Sequence, residues 1–479
     1  MRPGILSLIG VAGALALPVV ATAQPSSTVA SAPSSSAAEL AASAALRDRA
    51  MAGDNDAYAL VEGLTTEIGP RPAASPAFHR AAHWALARMQ ALGLQNVHGE
   101  PFLVTRWIRG EERAEVTAPF PQRLAVTAIG GSVATPPGGI EAPVALFRSY
   151  EEFLEAPRSA IEGRIVVVTQ PMPVGGYAGY FRIRSQGANE AARRGALAYL
   201  LRSLATGDRR APHTGTLFYD EAKAGEPARV GIPAAAISGP DAEQLDRMAA
   251  RGLPLRLRLV LTSTSEPNQQ TETIVGEIPG RDPGAGVVLI GAHLDSWDLG
   301  TGALDDGAGV GVTLAAAKLI ASLPVRPLRT IRVVLFGAEE IGEARKAYAA
   351  AHGAAEQARI AIASECDLGA DHIYSIQLPP GAQDGPFAHL LARAVQPLGT
   401  SIADEPATDG GGDLDMLSGV PLANLRQEDT RYFDFHHSAD DTLDKIDRTE
   451  LNQNVAAWAV FTYLAANSPQ SFRQRAPAK

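Results

Sequence analysis

At 479 residues the chain is too long for one ordinary hydrophobic core, so at least two domains are expected. Hydrophobic residues make up 46% and the formal net charge is -10; no basic run reaches the density a nucleic-acid surface requires, so no nucleic-acid partner is expected. The single cysteine, Cys366, excludes an internal disulfide, leaving packed cores and any bound metal to supply stability.

The first residues read as an address. Arg2 is followed by an apolar stretch over 5–20 and then by Ala21-Thr22-Ala23, a small-x-small cleavage pattern. A signal peptide over 1–23 and an exported protein, periplasmic or extracellular, are expected. The apolar stretch is short for a membrane span, and no later segment is long enough, so no span is expected after signal removal. Residues 24–45 are rich in Ser, Ala and Pro and predict a disordered tether, with the fold starting near Leu46.

Helical periodicity runs over 56–92, broken by Gly69-Pro70-Arg71-Pro72, and the second helix stops at Gly93, a good C-cap. Residues 95–106 read as a strand. Over 119–264 short apolar strands (142–147, 163–169, 196–201, 231–237) alternate with helical stretches at 182–195 and 241–251. Residues 255–261 alternate Leu and Arg, the period-2 pattern of a half-exposed strand. No ionisable cluster with ligand spacing occurs there, so this region is expected to be an inserted domain without chemistry of its own.

From Thr271 the pattern is strand then helix. Strands are expected at 287–292, 330–337, 360–365 and 420–425, and helices at 307–323, 342–352, 387–398 and 450–466. The fold class that follows is α/β: a mixed, mostly parallel sheet with helices on both faces, formed by 46–118 and 265–470 around an inserted α/β domain at 119–264. In such sheets ligands gather where the strands end at their carboxyl side.

Polar residues stand at those ends. The first strand runs into His293-Leu294-Asp295, and the loop after it holds Asp305-Asp306-Gly307. The second runs into Glu339-Glu340, the third into Glu365-Cys366-Asp367, and near the end comes His436-His437-Ser438-Ala439-Asp440-Asp441-Thr442. Imidazole nitrogen and carboxylate oxygen are zinc ligands. Two zinc ions roughly 3.5–4 Å apart can clamp one bridging hydroxide. Five protein ligands suit such a pair, with one carboxylate shared and one His and one carboxylate for each ion. A further carboxylate must stay off the metal to take the water's proton. The adjacent Glu339 and Glu340 supply one residue for each role, and Asp295 is placed to hold the His293 imidazole from behind. Each residue also has a bland reading: Asp305 and Asp306 as helix caps, the two glutamates as helix-start carboxylates, His436 as structural, Cys366 as packing. Asp413 either binds a substrate amine or caps the helix at Leu414.

The order H-x-D, D-D-G, E-E, D and H-x-x-x-D-T resembles the M28 family of zinc peptidases, and within it the carboxypeptidase Q type. The stretches Ala292-His293-Leu294-Asp295-Ser296-Trp297-Asp298, Ala338-Glu339-Glu340 and Phe435-His436-His437-Ser438 carry the resemblance. The middle region is similar to a protease-associated domain. The resemblance implies two Zn2+, with His293, Glu340, Asp367 and His437 as ligands, Asp305 as the bridge and Glu339 as general base. His437 rather than His436 is implied because the family's ligand lies four residues before the Asp of Asp441-Thr442. It also implies a cis bond between Asp305 and Asp306, a small peptide substrate with dipeptides foremost, and a possible homodimer. The expected reaction is exopeptidase hydrolysis by the metal-bridged hydroxide. Ile341-Gly342-Glu343-Ala344-Arg345 departs from the Gly-Leu pattern of many aminopeptidases in the family, and the glycine run 410–412 is unusual. Aminopeptidase specificity therefore stays open, as do a glutaminyl cyclase-like activity and a non-catalytic binding protein. A complete ligand set speaks against the last two.

Overall fold

The computed structural model describes residues 35–218 and 231–473. The signal peptide expected over 1–23 and the first part of the tether lie outside them. The rest of the expected tether is not disordered: Ser35–Met51 is a helix, with Ser43, Leu46 and Ala50 buried. Its run of alanines carries high helix propensity, which the Ser/Pro-rich flank masked.

The main sheet has five strands in the order Gln95–Ile108, Thr264–Ile278, Thr330–Phe336, Val287–His293, Ile360–Glu365. The first two pair antiparallel as a long ribbon at one edge, with the inserted region between them in sequence, and the last three are parallel. Val287–His293 is buried at every position, as its unbroken apolar sequence requires for a strand covered on both faces. A parallel bridge between Ala363 and Leu422 leads into a second group of strands, Ile373–Gln377, Ser401–Ile402 and Asn424–Gln427. The last of these begins later than the 420–425 expected, because Val420 and Leu422 pack beside the main sheet before the chain joins a ladder.

Helix Pro76–Ala91 starts where Ser75 accepts a hydrogen bond from the Phe78 N–H, with proline at its first position. Helices Ala308–Ala321 and Arg448–Asn467 are buried almost all round and pack on one another within the main core.

The region 119–264 forms an eight-stranded sheet of its own that also takes in Glu112–Ala118. In its strand Arg256–Leu261 the leucines Leu257, Leu259 and Leu261 point inward while Arg258 is exposed, the expected alternation. One face closes over Leu245 and Met248 of helix Gly239–Ala249. The other, with Phe147, Phe153 and Tyr199, is continuous with the main core, so insert and main sheet meet across packed side chains.

Candidate metal centre and cleft

Register brings the polar residues together. His293 lies opposite Phe336, three positions before Glu339, and Gly291 lies opposite Glu365, two before Asp367. The three parallel strands thus end side by side with His293, Glu339-Glu340 and Asp367. Asp305 reaches the same point from the loop that opens helix Ala308–Ala321, and His437 from the segment after Tyr432–Phe435.

The five side chains meet in two groups that share Asp305: His293, Asp305 and Asp367, then Asp305, Glu340 and His437. Nε2 of His293 is 3.0 Å from Asp305 Oδ1 and 3.4 Å from Asp367 Oδ1. Nε2 of His437 is 3.1 Å from both Asp305 Oδ2 and Glu340 Oε2. The two oxygens of Asp305 thus face different imidazoles, Oδ1 towards His293 and Oδ2 towards His437. This is the arrangement two borderline cations with nitrogen and oxygen ligands need.

A second layer holds the first. The Asp441 carboxylate accepts from the N–H groups of Ala303, Leu304 and Asp305 at 2.9, 2.6 and 3.3 Å and so fixes the loop carrying the shared ligand. Asp306, joined to Asp305 by a cis bond, accepts from the N–H of His293 at 3.0 Å and of Gly309 at 2.9 Å, tying strand to helix start. Asp295 stands behind the His293 ring: Nδ1 of His293 lies 3.1 Å from the Asp295 backbone carbonyl and 3.7 Å from its carboxylate, which also accepts from the N–H of Glu339 at 3.1 Å.

Arg71, in the break between the first two helices, is fully buried. It donates to the carbonyls of Leu294, Thr301 and Gly302 at 2.5, 2.8 and 2.9 Å, joining the two loops that carry His293 and Asp305. Gly302 has φ +62°, and a Cβ there would collide with Ser296 and Arg71. Burial pulls the Arg71 guanidinium below the ordinary arginine range, and Asp441 and Asp295 oppose that pull.

With only protein charges present the site is strongly polarised. Burial, opposed by His293 and reinforced by Asp367 and Glu340, pushes the Glu339 carboxyl well above the usual carboxylate range. Burial and Asp305 push Glu340 up to about 7. Both imidazoles, although buried, are held well above their ordinary value: His293 chiefly by Asp367, His437 chiefly by Glu340. His436 is buried with neither ring nitrogen paired, and burial with the His437 charge pushes its value down; it stacks between Tyr432 and His437 and offers no ligand geometry. Cys366 is buried with its thiol pushed up, so it packs and does not react.

Glu339, Glu340, Asp305, Asp367 and His437 open onto a cavity of about 240 Å³. Tyr432 lines it and points its hydroxyl at Asp367 Oδ1, 3.5 Å away. The insert, expected to lack chemistry, supplies Tyr177, Phe181, Arg184, Thr216 and Phe218 to the same wall. Asp413 neither caps a helix nor pairs: its carboxylate is buried without a partner, while its N–H donates to Glu365 at 2.9 Å. Arg71, Arg184 and Asp441 were missed as site residues. Only Asp441 carried a signal, its fixed distance from His437.

A model of peptidase family M28 matches residues 273–462. Carboxypeptidase Q of Bos taurus is 35% identical over 415 residues, covering 86% of either chain. A peptidase M28 precursor from Shewanella amazonensis SB2B superposes with a TM-score of 0.87 at 40% identity, over 93% of this chain and 100% of that one. A zinc aminopeptidase from Bacillus subtilis shares the fold with a TM-score of 0.61 at 21% identity, over 86% and 96%. The chain belongs to peptidase family M28 and is a zinc-dependent metallo-exopeptidase.

Proposed function

We propose that this protein is an exported di-zinc exopeptidase that hydrolyses dipeptides or other short peptides. The observation that carries the reading is the pair of three-residue groups sharing one carboxylate, Asp305, beside a separate half-buried glutamate, Glu339. In this reading His293 and Asp367 hold one cation, Glu340 and His437 hold the other, and Asp305 touches both. Bound zinc would supply a Lewis acid that activates water and polarises a carbonyl. The exported location is supported by the N-terminal address sequence, and no helix among the described residues is long and apolar enough to cross a membrane. The chain is read as a catalytic unit of 46–118 and 265–470 with 119–264 inserted.

The chain's own residues do the proton work. Glu339 sits on the cavity wall with its backbone N–H anchored on Asp295, so its carboxyl group has a fixed position. Its place on the cavity wall, outside both ligand groups, suits a base that takes a proton from the attacking water and returns it to the leaving amine. Tyr432 keeps Asp367 oriented, and Asp441 keeps Asp305 in place. Tyr177, Phe181, Phe218 and Phe433 line the cavity with aromatic rings, an apolar wall beside the polar ligand groups. The cavity is smaller than those that enclose drug-sized ligands, which favours short peptides.

The test is hydrolysis of a dipeptide panel by the purified mature chain, with chelator and with zinc restored, alongside Glu339→Gln. Activity should vanish with chelator and return with zinc. Glu339→Gln should keep its zinc and lose about three orders of magnitude in kcat. Full activity in that variant would remove the base from its role.

A further inference from the structure

Among the five candidate ligands only His437 has a left-handed backbone. Its φ is +59°, a conformation that a β-carbon disfavours, so its place must be held from outside. The holder comes from the insert: the His437 carbonyl accepts from the N–H of Thr214 at 2.8 Å. Thr214 is fully buried.

Thr214 is itself held. Its hydroxyl donates to the Ala128 carbonyl at 2.7 Å and accepts from Nη2 of Arg109 at 3.2 Å. Arg109 stands where the chain passes from strand Gln95–Ile108 of the main sheet to strand Glu112–Ala118 of the insert's sheet. All three of its side-chain nitrogens donate. Nε and Nη2 form a two-armed pair with the Asp298 carboxylate, both at 2.8 Å. Nη1 reaches Glu112 at 2.5 Å, the Thr127 hydroxyl at 2.7 Å and the Ala128 carbonyl at 2.9 Å. A rigid planar fork can meet several acceptors at fixed angles, which a single ammonium cannot. Asp298 follows Trp297, whose N–H donates to Glu340 Oε1 at 3.1 Å. The Trp297 ring fits against the insert at Gly130, where a Cβ would collide with it.

Arg109 thus has one arm towards each ligand of the same half of the centre. One runs through Thr214 to His437, the other through Asp298 and Trp297 to Glu340. The other half is supported differently. Among the described residues, the hydrogen bonds and ion pairs of the His293 and Asp367 side chains stay within the main unit.

We propose that Arg109 is a positioning residue for the Glu340–His437 half of the metal centre, and that the insert is a structural part of that half alone. This rests on the two-cation reading above and goes beyond it by giving the two halves separate supports.

The experiment is a calorimetric zinc titration of the chelator-stripped protein. Wild type should take up two equivalents. His437→Ala and His293→Ala should each leave one, the first in the His293–Asp367 half and the second in the Glu340–His437 half. Arg109→Met added to His437→Ala should leave the remaining affinity unchanged. Added to His293→Ala it should weaken that affinity about 10- to 100-fold. Arg109→Lys should recover only part of the loss, because one ammonium cannot serve Asp298 and Thr214 together. Thr214→Val removes the hydroxyl link and keeps the branched shape. It should weaken the same half by a smaller factor, and it decides the question should Arg109→Met not fold. Equal effects in both backgrounds, or none in either, would overturn the role of Arg109 while the two-cation reading stands. A wild type that takes up fewer than two equivalents would end the two-cation reading and this assignment with it.

Discussion

The two sides of the cleft are built in opposite ways. On the main-sheet side His293, Glu339, Glu340 and Asp367 lie at or just past strand ends, Asp305 and His437 come in on loops, and buried groups brace the centre: Asp305 by Asp441, His293 by Asp306, the loops by Arg71. On the insert side, aromatic rings and one arginine form a wall with few polar ties, and the guanidinium there has an unmatched donor. The difference separates chemistry from recognition. Ligands that must meet at one point need rigid, over-determined supports.

The sharpest way to break that division is to remove the shared ligand. Asp305→Ala should lose both cations and all measurable hydrolysis, read by metal analysis and dipeptide turnover. Retention of a full zinc complement would show that the two groups do not depend on one bridge.

A smaller effect should follow from the support behind it. Arg71→Met leaves the carbonyls of Leu294, Thr301 and Gly302 buried without their donor. A loss of roughly 3 kcal/mol or more in unfolding free energy is expected, together with weaker zinc retention. Normal stability and zinc affinity in the variant would mean that the loops hold themselves.

The smallest effect lies away from the cleft and sharpens the comparison by contrast. His352 follows helix Ala344–Ala351 and sits 2.9 Å from Glu100 and 3.0 Å from Glu356. Burial opposes its charge, but the two glutamates raise it above its ordinary value of 6.5. A group raised on folding adds stability that is complete below the unfolded value and fades as pH climbs through the folded one. His352→Gln should therefore lower the urea midpoint more at about pH 6 than at about pH 9. An equal decrease at both would assign the contact to packing rather than charge.

Legibility differed between the two sides for a physical reason. The alternation of strands and helices was visible because burial on both faces forces continuous apolar runs such as 287–292. The ligand set was visible because parallel register brings residues just past consecutive strands to one edge, so short local motifs suffice. The double contact of Asp295 was not legible, since a spacing of two residues does not tell that both its carbonyl and its carboxylate approach the ring. The helix Ser35–Met51 was lost to the composition around it.

The sequence by itself therefore determined the family, the fold class and which five side chains could gather around metal. Each of these depends on periodicity or on short spacings, which the chain carries locally. Only the tertiary structure decided that Arg71 braces the site from the far N-terminal side and that Arg184 reaches it from the inserted sheet. Those contacts join residues more than two hundred positions apart. They arise from how two packed surfaces meet, and no local pattern in the chain encodes that.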